Sequence, residues 1–245
     1  MSTPPTPSRT WTKTAQRPLR SRRKSLAVWA MARFMGVAVP WQAVRQTDGA
    51  ALLAHEHERL QALAAAGERV PPVLSFDGQQ LVTGDIGSTL DHQLRDLPAA
   101  AALDLMCAAA TDLARFHAHG HWHGGAQSRN ITWDGHRFAR LDFEEQLYPA
   151  LPLATVQAYD VLQLVLSLAR VLEPMGPQAV CAVWRAYEQG RSPVRLRPFL
   201  QRLLPRLGWV LRGLGCSSRL RSSREARVVR TVLEGSRQFL ASSPD

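Results

Sequence analysis

Apolar residues recur at helical spacing in three stretches of the chain. Leu52, Glu56, Leu60 and Leu63 stand at i, i+4, i+8 and i+11, which puts them on one face and predicts a helix over 52–66. Leu103, Met106, Ala110, Leu113 and His117 repeat three or four residues apart, so a long helix over 99–117 buries that side. A third, strongly apolar helix is expected over 155–171. Elsewhere the pattern is that of short strands. Val73 to Phe76, Asp77-Gly78 and Gln80 to Thr83 predict one hairpin; Ile131 to Trp133, Asp134-Gly135 and Phe138 to Leu141 predict another. Thr10-Trp11-Thr12-Lys13 is strand-like, and Gly84-Asp85-Ile86-Gly87 is a joint. Leu26 to Val39 is apolar, but Arg33 interrupts it and it is too short to span a bilayer. It is expected as an amphipathic helix packed on the small N-terminal lobe. From Gly176 onward the chain is helical by composition. The fold class is α+β.

Two features carry candidate chemistry. Glu56 lies among leucines on a buried face, and a carboxylate there needs a positive partner because desolvating it unpaired is costly. Glu56 is preferred to Glu58 on this ground. The second feature is His123-Gly124-Gly125-Ala126-Gln127-Ser128-Arg129-Asn130 followed by Leu141-Asp142-Phe143-Glu144. The 131–141 hairpin places Asn130 and Asp142 side by side at one end of two paired strands. An amide oxygen and a carboxylate there can hold Mg2+ against a nucleotide phosphate.

This stretch has the spacing H-x-D-x-x-x-x-N followed by an aspartate, and over about residues 52–170 the chain resembles the protein-kinase-like superfamily. The closer likeness is to small bacterial members such as the lipopolysaccharide-core sugar kinases. The resemblance implies a two-lobe fold: an N-lobe with a reduced sheet over 1–84 and a helical C-lobe over 85–245. It implies ATP and Mg2+ as cofactors, with Asn130 and Asp142 as metal ligands. A strand lysine pairs with Glu56 and holds the phosphates; Lys13 is preferred to Lys24, which sits in a run of arginines. The joint at Asp85 corresponds to the hinge where backbone groups meet adenine. Asp160 braces the catalytic-type loop, and His123 packs against Phe143.

The chain departs from the family pattern in two places. No glycine occurs in the first twelve residues, which include Pro4, Pro5 and Pro7, so the phosphate-covering loop is absent or altered. Gly125 stands where the catalytic aspartate belongs. Gln127 can orient an acceptor hydroxyl, and Glu144 or Glu145 can stand in as the carboxylate. The expected function is an atypical ATP/Mg2+-dependent phosphotransferase acting on a sugar or Ser/Thr hydroxyl. The alternative is a catalytically silent pseudokinase that serves as a binding or scaffold module.

Composition narrows the setting. The 245 residues, 45% of them hydrophobic, suffice for one unit with a sizeable core. Cys107, Cys181 and Cys216 show neither a disulfide framework nor zinc spacing, so a reducing cytoplasm is expected. The net charge of +10 collects over Arg9 to Lys24 and Arg191 to Arg237. Such charge suits an anionic substrate or the inner face of a membrane. Nucleic acid is disfavoured, because no recognition motif accompanies the arginines. No transmembrane segment is expected, and Ser21-Arg22-Arg23-Lys24 only weakly resembles a twin-arginine signal. His117, His119, His121 and His123 alternate, but Gly120 ends a helix among them, which argues against a shared zinc ion.

Overall fold

A computed structural model of the chain describes residues 9–15, 22–34, 36, 38–44, 48–148, 150–214 and 223–243. Pro4, Pro5, Pro7 and the Lys24 side chain lie outside the described residues, as do parts of both arginine-rich segments. The fold is α+β, with a small antiparallel sheet and a mostly helical remainder. The sheet has the order β1-β3-β2, from β1 (Thr10–Thr14), β2 (Val73–Phe76) and β3 (Gln80–Gly84). Lys13 lies opposite Leu81 on the β1–β3 ladder. The β2–β3 turn closes on Asp77, whose carboxylate accepts from the Gln79 and Gln80 N–H groups while Gly78 supplies φ +88°.

Helix α1 (Arg22–Phe34) and the short α2 (Trp41–Val44) precede α3 (Gly49–Ala65). Asp48 caps α3 by accepting from the Ala50 and Ala51 N–H groups. The α3 face of Leu52, Leu53, Glu56, Leu60 and Leu63 is buried, and Leu53, Leu60 and Leu63 join Leu81 of β3 in the main core. A short α4 (Leu90–Gln93) leads to α5 (Ala99–Ala118). The hairpin of β4 (Ile131–Trp133) and β5 (Phe138–Arg140) follows, then α6 (Leu153–Leu172), α7 (Pro177–Gln189), α8 (Leu196–Leu214) and α9 (Arg224–Ala241). Met106, Leu113, Val161, Leu164, Val165, Leu168, Trp184, Tyr187 and Phe239 fill the same core from α5, α6, α7 and α9. At roughly 2 kcal/mol for each fully buried large apolar side chain, this core is the main stabilising term.

The seat of α1 is shared more widely than expected. Its Trp29 and Ala32 pack on a separate cluster in which Val39 and Val44 of the N-terminal part meet Trp122, Leu147, Leu151 and Val156 of the later, mostly helical part. Amphipathicity selects the face a helix buries but not the surface it meets. Residues 153–175, which include α6, have the length and hydropathy of a membrane span, yet 61% of the apolar window is buried within the protein. Gln157 and Asp160 of α6 are buried and hydrogen-bonded to loop backbone, which marks it as a core helix.

Candidate active site

The β1 edge carries Lys13 over α3, and its ammonium meets carboxylates from two directions. Nζ lies 2.8 and 2.9 Å from the Glu56 oxygens, 2.6 Å from Asp142 Oδ1 and 3.0 Å from Glu144 Oε1. Glu58, the neighbour not chosen, is exposed. Burial alone would lower the Lys13 pKa, but the three carboxylates outweigh it and raise it. Burial pushes Glu56 up in spite of Lys13. Burial also acts to raise Asp142, but Lys13, His123 and Arg129 bring it below the ordinary carboxylate value. The three acids offer oxygens within 4.8 Å of one another. One ammonium against three carboxylates leaves negative charge in excess, the electrostatic condition a divalent cation relieves.

The loop after α5 is fixed by α6. Asp160 is fully buried, and its carboxylate accepts from the His123 and Gly124 N–H groups, each at 2.7 Å. It also lies 3.3 Å from His117 Nε2, whose Nδ1 pairs with the Tyr187 hydroxyl at 2.6 Å. His123 stacks on Phe143, with ring centroids 4.5 Å apart. Its Nε2 donates to the Leu141 carbonyl and its Nδ1 accepts from the Gly125 N–H, so the neutral ring satisfies both nitrogens. Burial holds its pKa down at about 4. Arg59 of α3 ties the same loop to the other side: it donates to the Trp122 carbonyl and stacks its guanidinium 4.3 Å over the Trp122 ring.

Asn130 and Asp142 open on one cavity of about 260 Å3, lined also by Gly125, Gln127, Arg129, Glu144, Glu145, Tyr159 and Gln163. The hairpin brings them together: Ile131 pairs with Arg140, and the Leu141 N–H donates to the Asn130 carbonyl. Asp142 then turns with φ +72°, a left-handed conformation that costs about 1 kcal/mol for a non-glycine residue. The Asn130 side chain is buried. Its Nδ2 donates to the Gly125 carbonyl at 2.9 Å. An amide oxygen and a carboxylate lining one cavity are a hard-oxygen donor set that fits Mg2+.

Gln127 lines this cavity with its Nε2 committed to Gln163 Oε1 at 3.0 Å. Asp85 stands apart from it: its N–H donates to the Arg9 carbonyl and its carboxylate accepts from Gly87. That N–H extends the β1–β3 ladder and is already used. The alternating histidines diverge. His117 and His123 are placed as above, whereas His119 and His121 both face Glu68.

Three cavity residues escaped the sequence reading. Arg129 was inside the motif without a role. Tyr159 and Gln163 sit beside and one turn beyond Asp160 on α6, and Gln163 donates to the Gly124 carbonyl. The i+3 spacing of Gln163 from Asp160 was the available signal. No protein-family model matches the chain, and no curated protein matches it.

Proposed function

We propose that the chain is an atypical ATP- and Mg2+-dependent phosphotransferase of the two-lobe protein-kinase-like fold, acting on a sugar or Ser/Thr hydroxyl. The observation that carries this reading is the meeting of Lys13, Glu56 and Asp142 through one ammonium beside a cavity shared by Asp142 and Asn130. These are the residue types that phosphoryl transfer needs for phosphate positioning and metal binding. Mg2+, when bound by Asn130 and Asp142, would neutralise charge on the phosphates. Lys13 would bind phosphate oxygens, oriented by Glu56. Arg129, at the cavity wall and with no ion pair among the described residues, would add positive charge toward the transferred group. Gln127 would orient the acceptor through its side-chain carbonyl oxygen. The hinge would be 84–87, where the Ile86 carbonyl accepts from the Thr132 hydroxyl of β4.

A second reading has its own observation: Gly125 brings no carboxylate to the site. A silent nucleotide-binding module, with arginine-rich flanks toward an anionic partner, fits that feature. Incubation with γ-labelled ATP and Mg2+, offering a lipopolysaccharide-core sugar or a Ser/Thr protein as acceptor, separates the two. Label transfer that is lost in Asp142→Ala supports the enzyme. Saturable ATP binding with no transfer to either acceptor supports the silent module.

A further inference from the structure

A second charged cavity lies outside the candidate active site and shares no lining residue with it. The chain builds it from two regular elements. On α5, Ala108, Thr111, Asp112 and Arg115 fall at i, i+3, i+4 and i+7, on one face of the helix. On the β4–β5 hairpin, Phe138 and Arg140 alternate onto one side of β5, and Trp133 is the register partner of Phe138. These two faces line a cavity of about 420 Å3, to which Arg69 and Arg137 also contribute.

Two of its arginines are fixed as walls. Arg140 is buried, pairs with Asp112 and stacks its guanidinium 4.4 Å over the Phe116 ring. Arg69 pairs with Asp134 at 2.5 Å and donates to the Arg137 carbonyl at 3.0 Å, which pins the hairpin turn beside the cavity. Glu68, the other acid in the lining, is turned to His119 at 2.8 Å. The acids are thus committed. Arg115 and Arg137 are exposed and have no ion pair among the described residues, so the cavity keeps an excess of positive charge. Two guanidinium groups from two elements suit a phosphate dianion, which accepts paired, charge-assisted N–H bonds. Trp133 and Phe138, with ring centroids 4.3 Å apart, add an aromatic wall of the kind that receives the C–H face of a sugar ring.

We propose that this cavity binds a phosphorylated sugar, with the phosphate monoester held by Arg115 and Arg137 and the ring set against Trp133. Its volume lies in the range of small-molecule sites. The proposal does not depend on the phosphotransferase reading.

The test is calorimetric titration of the full chain, at low ionic strength and without ATP, with glucose 6-phosphate, glucose and inorganic phosphate. Saturable binding of glucose 6-phosphate is expected, at least about tenfold tighter than that of glucose or of phosphate, since each of these offers only part of the recognised ligand. Arg115→Gln and Arg137→Gln should each weaken it by about tenfold. Both side chains are exposed, so neither change removes core packing, and thermal melts check that each variant is folded. Arg170→Gln, the same charge change on α6 outside this cavity, should leave binding unchanged. Inorganic phosphate bound as tightly as glucose 6-phosphate overturns the sugar assignment and leaves a plain anion site. No saturable binding of glucose 6-phosphate, binding unchanged in either arginine variant, or an equal loss in Arg170→Gln overturns the proposal. None of these outcomes involves ATP, so the phosphotransferase reading stands or falls separately.

Discussion

His123 illustrates how one buried side chain ties the site to stability. Neutral, it donates to Leu141 and accepts from Gly125; protonated, it loses the second bond and carries an unsolvated charge. Its folded pKa of about 4 lies below the ordinary 6.5, because burial outweighs the nearby carboxylates. The unfolded chain thus takes up this proton first as pH falls. The stabilisation is whole above about pH 6.5 and is lost as pH drops toward 4. By pH 4.5 this residue alone should cost about 2.5 kcal/mol, and burial lowers His117 in the same direction. Urea titrations between pH 7.5 and 4.5 should show the decline; a flat profile would contradict the burial assigned to His123. Lys13 poses the reverse problem. Lys13→Met leaves three carboxylates facing one another, with Glu56 buried. Since the Lys13 side chain is 37% exposed, the expected loss at neutral pH is only about 1–2 kcal/mol by urea titration. Glu56→Gln in the same background should recover most of it, whereas equal stability of Lys13→Met and wild type would deny the pairing any weight.

At the scale of elements, α6 is the strut of the site. Asp160→Ala strands two buried N–H groups and His117, so a loss of about 3 kcal/mol is expected. Asp160→Asn keeps acceptor capacity on one oxygen and should cost roughly half as much; indistinguishable melts of the two variants would argue against the brace. Gly124→Ala should cost about 2 kcal/mol, because its Cβ meets Glu145 and φ is +87°. What the sequence disclosed follows the range of each interaction. The faces of α3, α5 and α6 and the two Asp-Gly turns depend on neighbours a few residues away, and all were legible. Glu56 was distinguished from Glu58 by the same periodicity, whereas its lysine partner came from the family resemblance. The seat of α1 on Trp122, Leu147 and Val156 depends on residues some hundred positions distant and left no local mark. Glu144 turning to Lys13, and Glu145 packing closely against Gly124, were hidden for the same reason.

Across the whole molecule, the positive charge divides into structural and free parts. Arg197 bonds Glu188 through two nitrogens, donates to the Phe239 and Ser242 carbonyls and stacks on the Phe239 ring, so it holds α9 in place. Arg227 pairs with Glu173. Arg115, Arg129 and Arg137 line cavities and have no ion pair among the described residues. The sheet, α3 and the 123–142 segment meet at Lys13, and the proposed chemistry requires that meeting point to accept a nucleotide and a metal together. Calorimetric titration of the folded chain with ATP, with and without Mg2+, tests this most directly. The expected result is saturable binding that strengthens at least about tenfold with Mg2+ and loses that gain in Asp142→Asn, as metal ligation by Asp142 requires. No heat of binding in either condition, or binding indifferent to both Mg2+ and Asp142, would contradict it.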